Sequence, residues 1–186
     1  MPDQLLEKLE IDCEKISDIL SVEEIKAINE LITDPDNFEN PEVWEEEGET
    51  IAEADIGGPN LELDREEDYH LLRSPGIIET LVETQLPMEC RQDSNIIWLT
   101  SVIISEIAQN QAFSEGNKRT AYMTGTLFLI KAQLLQKDQA RYPMLDKELT
   151  DKLSDLAIDN TDEEDTLDSE EFYNYLTERL KNQAEM

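Results

Sequence analysis

The segment from Asn95 to Gln109 constrains the fold more than any other. It carries Ile96, Ile97, Leu99, Val102, Ile103, Ile104, Ile107 and Ala108, so any helix it forms is apolar on more than one face. Such a helix is stable in water only when other elements enclose it. The rest of the chain supplies partners with the helical period of threes and fours. Leu5, Leu6, Leu9, Cys13, Ile16, Ile19 and Leu20 predict a first helix capped near Asp3. Ser21 and Glu24 form a capping box, opening a second helix expected to bury Ile25, Ile28, Leu31 and Ile32. Ser74-Pro75-Gly76 starts a short helix with Ile77, Ile78, Leu81 and Val82 on one side, expected to end before Pro87. Helices over Asn117 to Gln136, Leu145 to Ile158 and Ser169 to Lys181 follow, the last with a core stripe of Phe172, Tyr173, Leu176 and Leu180. The expectation is an all-α fold, a compact helical bundle centred on the 95–109 helix.

Residues 34–68 break this texture. They hold fifteen acidic residues and one basic residue, Arg65, among Pro35, Pro41, Gly48, Gly57, Gly58 and Pro59. This reads as a long acidic loop insertion, with Trp44 as a loop anchor. The whole chain carries 45 Asp+Glu against 15 Lys+Arg, a net charge of -30. Phosphate backbones and acidic lipids are repelled by that field, which argues against direct nucleic-acid or membrane binding. Two readings of the acidity stay open. Dense carboxylates keep a surface hydrated at high salt, where their repulsion is screened, or they mimic nucleic acid for a basic partner. Their spread through almost every segment favours salt adaptation.

The acidic start, Met1 to Glu10, lacks a basic-then-apolar leader, and no apolar run reaches membrane-spanning length. A soluble cytoplasmic protein is expected. Cys13 and Cys90 lie far apart and belong to no CxxC or Cys/His cluster, so neither a disulfide nor a zinc site is expected. Asp159 to Glu170 alternates acids in the manner of a calcium loop, but Glu164 stands where the sharp turn needs glycine, leaving an acidic linker.

Chemistry concentrates in the break between the two longest helices. Helix N-termini favour Asp and Glu, because the first-turn N–H groups carry partial positive charge. Here the first turn after Gly116 reads Asn117-Lys118-Arg119, and Lys118-Arg119 is the only adjacent basic pair in the chain. Free N–H groups, a glycine permitting close approach and two cations together make a phosphate site. Glu115 adds a hard oxygen ligand suited to Mg²⁺, and Phe113 is placed to anchor the loop in the core. The same residues also suit a plain helix joint, in which Gly116 ends one helix, Asn117 caps the next and the cations answer nearby acids.

Gln111-Ala112-Phe113-Ser114-Glu115-Gly116-Asn117-Lys118-Arg119-Thr120-Ala121 resembles the active-site signature of the Fic/Doc (Fido) superfamily, HxFx(D/E)GNKRTA, and is most similar to its death-on-curing (Doc) branch. Leu20-Ser21-Val22-Glu23-Glu24-Ile25 resembles the opening helix of that family. Arg73-Ser74-Pro75-Gly76-Ile77-Ile78-Glu79-Thr80 resembles its R-D-x-G-L-L-E-S-A segment, and Leu149 to Leu180 its closing helix pair. The resemblance implies an N-terminal helical extension over 1–19, a Fido domain over 20–181 with its acidic insertion at 33–66, and a tail at 182–186. It implies ATP and Mg²⁺ as cofactors, with Glu115 on the metal, Gly116, Asn117 and Lys118 around the phosphates, and Arg119 paired with them. Phosphoryl or nucleotidyl transfer to a protein hydroxyl would follow, lysine at 118 being the Doc-like choice. It also implies a toxin neutralised by a small antitoxin protein. No inhibitory (S/T)xxxE(G/N) helix is found in this chain, so inhibition is expected from another chain.

The family's general base is a histidine at the first motif position, where this chain has Gln111. A carboxamide does not titrate in the useful range, and losing a general base costs about 10² to 10⁴ in rate. The one histidine, His70, lies 41 positions upstream beside the acidic insertion and reads as a surface or flap residue. Gln111 fits either a relative that has lost catalysis and kept binding or a disarmed toxin. An acidic interaction protein without a ligand in the loop is the rival from another class. If the acidity is salt adaptation, the unfolding midpoint measured by circular dichroism rises between dilute buffer and about 2 M KCl, as screening removes self-repulsion. An unchanged midpoint counts against it.

Overall fold

A computed structural model of the chain describes residues 10–33, 74–114, 116–136, 141–157 and 168–184. The start of the first expected helix, most of the acidic insertion with Trp44 in it, His70, Arg73, Glu115 and most of the 159–170 linker lie outside the described residues. Among the described residues the architecture is all-α. The elements are α1 (Ile16–Ile19), α2 (Val22–Thr33), α3 (Pro75–Thr80), α4 (Leu86–Gln92), α5 (Ile96–Asn110), α6 (Asn117–Leu135), α7 (Lys147–Ala157) and α8 (Ser169–Ala184). No strand forms among these residues, and the β-pairing between them is an isolated bridge from Glu10 to Asn95. No described helix is long and apolar enough to cross a membrane.

α5 is the centre of the bundle, as its composition requires. Asn95 caps it, its Oδ1 accepting from the N–H groups of Ile97 at 2.9 Å and Trp98 at 3.1 Å. Every apolar residue expected on it is buried. α6, α7, α8 and α4 pack around it, with α6 sharing the largest interface. On the α8 side Phe172, Leu176 and Leu180 are buried, and Tyr173 meets Trp98 edge-to-face at 5.8 Å.

Three local expectations are corrected. The first apolar stripe is not one helix. The chain is extended at Glu10–Asp12, where Ile11 N–H donates to Ser94 O at 3.0 Å, and Asp12 then caps a 3₁₀ turn, Cys13–Lys15, ahead of α1. Partners outside a helix ladder were available to this backbone, and the Asp12 side chain took one. α2 begins with the expected capping box, Ser21 N–H donating to Glu24 Oε2 at 3.0 Å and Glu24 N–H to Ser21 Oγ at 3.2 Å. Its inward face, however, is Val22, Ile25, Asn29 and Thr33, while Leu31 is 58% exposed. The helix from Pro75 does not stop before Pro87 either. It passes through a π segment, Leu81–Gln85, in which Leu86 N–H donates to Leu81 O, and continues as α4. The widened register accommodates a proline, which has no N–H to give.

Cys13 and Cys90 are joined in a disulfide, contrary to the sequence expectation. They are 77 positions apart in sequence, but the 3₁₀ turn packs on α4 and brings their Cα atoms to 5.7 Å. Spacing rules for local motifs do not see a pair made by tertiary contact. A cross-link closing so large a loop removes much freedom from the unfolded chain, worth about 4 kcal/mol on the chain-entropy account. Reduction with a dithiol, or Cys13→Ser with Cys90→Ala, is expected to lower the urea midpoint by a corresponding amount while leaving native helicity intact at low denaturant.

Candidate functional site

The break between α5 and α6 is a tight loop held at both ends. Gln111 ends α5 in the left-handed region, φ 45° and ψ 54°, and its side chain is exposed. A non-glycine residue there carries strain of about 1–2 kcal/mol, and such outliers concentrate at functional turns. Ala112 and Phe113 turn inward and are fully buried, so Phe113 anchors the loop in the core. Asn117 then clamps Phe113 with both ends of its amide: Phe113 N–H donates to Asn117 Oδ1 and Asn117 Nδ2 donates to Phe113 O, each at 2.9 Å.

Gly116 precedes α6 with φ 73°. A Cβ there would lie 2.8 Å from Thr33 Cγ2 and 3.6 Å from Ile32 Cδ1, so both the backbone angle and the close approach of α2 require glycine. The first helical bond of α6 runs from Thr120 N–H to Gly116 O at 2.8 Å. The N–H groups of Asn117, Lys118 and Arg119 therefore precede the intrahelical ladder. Gly116 contributes no capping side chain, and no acid stands in the first turn. Among the described residues, the positive end of this 19-residue helix has no acidic side chain in its first turn.

The residues expected from sequence divide as follows. Gly116 and the backbone of Asn117, Lys118 and Arg119 share one turn. The Asn117 side chain is committed to Phe113, so what it offers an anion is its N–H. Lys118 Nζ donates to Ser154 Oγ of α7 at 3.4 Å, and Lys118 makes no ion pair among the described residues. Arg119 is 9% exposed. Gln111 stands at the far side of the loop. These groups suit a phosphate. Glu115, the expected Mg²⁺ ligand, lies outside the described residues, and among those residues no group of three or more His, Cys, Asp or Glu is placed to hold a metal.

Residues not singled out from sequence complete the turn. Asn29 of α2 is fully buried and donates from Nδ2 to Thr120 Oγ1 at 2.9 Å, while Thr33 walls Gly116. The available signal was a polar residue one turn beyond Ile25 on the face of α2 that turns inward. Ser154 gave no signal.

A second concavity, of about 290 Å³, lies between α7 and α8, lined by Asp146, Glu148, Tyr175, Glu178, Arg179, Asn182 and Gln183. Arg179 closes on itself there, paired with Asp146 at 2.5 Å and Glu148 at 3.6 Å. Burial pushes the Tyr175 phenol up to about 12. Burial would also raise Asp146, but Arg179 outweighs it and holds that carboxyl below its usual range. None of the expected site residues lines it.

No family model matches the chain, and no curated protein and no solved structure matches it. The loop geometry itself is open to test. Asn117→Ala removes both bonds to Phe113 and leaves a partly buried N–H and C=O without them, a loss of about 1–3 kcal/mol. Urea unfolding of the variant is expected to show that loss at unchanged m-value.

Proposed function

We propose that the chain is a Doc-like member of the Fido superfamily whose α5–α6 loop binds ATP with Mg²⁺, and that Gln111 leaves it without a general base. The observation that carries this reading is the turn at Gly116. A left-handed glycine opens α6 with no capping side chain, and among the described residues Lys118 in the first turn has a serine hydroxyl for its partner and no carboxylate. A cation at the positive end of a helix is unfavourable by several tenths of a kcal/mol, and an anionic guest offsets it. The motif HxFx(D/E)GNKRTA supplies the identity of the guest.

In this reading the N–H groups of Asn117, Lys118 and Arg119 and the Lys118 ammonium bind the phosphates, Asn117 and Phe113 keep the loop rigid, and Glu115 holds the metal. Bound ATP supplies the phosphoryl or nucleotidyl group. Transfer would form a bond from a target hydroxyl oxygen to phosphorus, with ADP leaving in phosphoryl transfer or pyrophosphate in nucleotidyl transfer, and would release the hydroxyl proton. Histidine at position 111 would take that proton. The Gln111 amide does not, so the protein as it stands binds and turns over about 10²- to 10⁴-fold more slowly than a histidine-bearing one would. The reading includes an antitoxin partner and a salt-adapted, cytoplasmic protein.

One observation favours a second reading. A net charge of -30 suits an acidic module that docks on a basic protein with no ligand in the loop. Isothermal titration separates the two. The first predicts heat on adding ATP with Mg²⁺ to the intact chain, reduced about tenfold in affinity by Lys118→Ala. No heat at millimolar nucleotide defeats it. Gln111→His is expected to restore transfer from labelled ATP to a protein in a lysate, and silence there shows that the missing base is not what stops turnover.

A further inference from the structure

The inward face of α2 turns polar in its C-terminal half, where apolar residues were at hand. Asn29 and Thr33 are buried, while Ile28 and Ile32 are half-buried and Leu31 is exposed. A rotation of α2 by a fraction of a turn would reverse this. Burying a carboxamide costs on the order of 1–3 kcal/mol unless its bonds are made, and leaving a leucine outside forgoes a further 1.5–3 kcal/mol or so. Violations of local preference of this kind fall at functional or strained sites.

What α2 gains from the rotation is contact with the turn that opens α6. Asn29 Nδ2 donates to Thr120 Oγ1 at 2.9 Å and lies 3.4 Å from the position a Cβ on Gly116 would occupy. Asn29 therefore bonds the side chain of Thr120 and lies beside Gly116, the two residues that close the first helical bond, Thr120 N–H to Gly116 O. Its own place is fixed one turn on, where Thr33 Oγ1 donates to Asn29 O at 2.8 Å and Thr33 Cγ2 walls Gly116. Between Gly116 and Thr120 lie the three N–H groups that face a phosphate in the proposed site.

We propose that Asn29 is a positioning residue that holds the Gly116–Thr120 turn in its anion-binding geometry, with Thr120 as its direct contact. This rests on the phosphate reading of the loop. Asn29 touches no nucleotide; it acts through Thr120 and Gly116. Its removal should loosen the turn and weaken nucleotide binding while sparing the bundle, because a leucine at position 29 has the same branched shape and needs no hydrogen-bond partner.

The test is a cycle of Asn29→Leu, Thr120→Val and the double variant in the full chain. It is read by amide hydrogen exchange at Thr120, by titration with ATP and Mg²⁺, and by urea unfolding. The expected result is near-native global stability, about tenfold faster exchange at Thr120 and about tenfold weaker nucleotide affinity in each single variant, with the double no worse than either. Thr120→Ser, which keeps the hydroxyl, should behave as the parent. If Asn29→Leu does not fold, the isosteric Thr120→Val carries the comparison alone. Exchange at Thr120 equal to the parent in a folded variant overturns the proposal. So does equal nucleotide affinity across the cycle, which leaves the phosphate reading standing. Should the parent take up no nucleotide while the variants still loosen Thr120, the holding role stands and the phosphate reading falls.

Discussion

The close approach of α5 and α6 is the constraint on which the rest of the molecule depends. Gly125, midway along α6, lies so near Ile104 that a Cβ would overlap Cγ1 and stand 2.7 Å from Cδ1. Thr100 lies against the same contact, 3.4 Å from that position, and its hydroxyl bonds back to Ile96 O. A small polar residue thus sits inside the interface with its hydroxyl satisfied within its own helix. With the two helix axes fixed, the loop joining them has little freedom. Phe113 enters the core from the loop, the Asn117 clamp closes over it, and Gly116 is pressed against α2. The turn that opens α6 is thus a consequence of helix packing elsewhere in the bundle.

The scarcity of cations shapes the surface in a matching way. Lys131 of α6 pairs with Glu24 and also donates to Ile19 O, tying α6 to α1 and α2. Burial alone would raise Glu24, but Lys131 and the Ser21 N–H outweigh it and hold its carboxyl low. Lys26 reaches Glu79 of α3 at 3.2 Å, and Arg179 joins α8 to the start of α7. Single exposed pairs contribute little to stability, so their value lies in register between elements and in relieving local repulsion. Lys118 departs from this pattern. Among the described residues its partner is a serine hydroxyl and not a carboxylate.

Much of this was legible in the residues, and the failures have identifiable causes. The all-α architecture followed from the period of the apolar residues, and α5 from being apolar all round. The cap at Ser21 was local chemistry and appeared where its side chain placed it. The end of the helix before Pro87 was misread because a π segment absorbs a proline that an α-helix would not. The orientation of α2 was misread because a count of apolar residues favours burying Ile28, Leu31 and Ile32, whereas the contact with Gly116 and Thr120 favours Asn29. The disulfide was missed because it depends on a tertiary approach. Phe113 and Gly116 were legible as an anchor and a turn; the commitment of the Asn117 amide to the Phe113 backbone was not, since the residue type suits a cap, a ligand or a clamp equally.

The cross-links acquire a further meaning from where they sit in the chain. The acidic insertion leaves α2 after Thr33 and returns at α3, and its fifteen carboxylates repel one another in dilute salt. Any force from that repulsion acts on the two helices it joins. α2 is held by the Glu24–Lys131 pair and by Asn29 on Thr120, and the run α3–α4 is held through Cys90 to the turn before α1. The disulfide therefore closes a loop that contains the insertion, so separation of α4 from the N-terminal turn is prevented covalently. Thr33 is the point where the two demands meet: it is the last residue of α2 before the insertion and the wall of Gly116. A tie one turn earlier, at Asn29, is where a restraint must sit if displacement of the end of α2 is not to reach the first turn of α6.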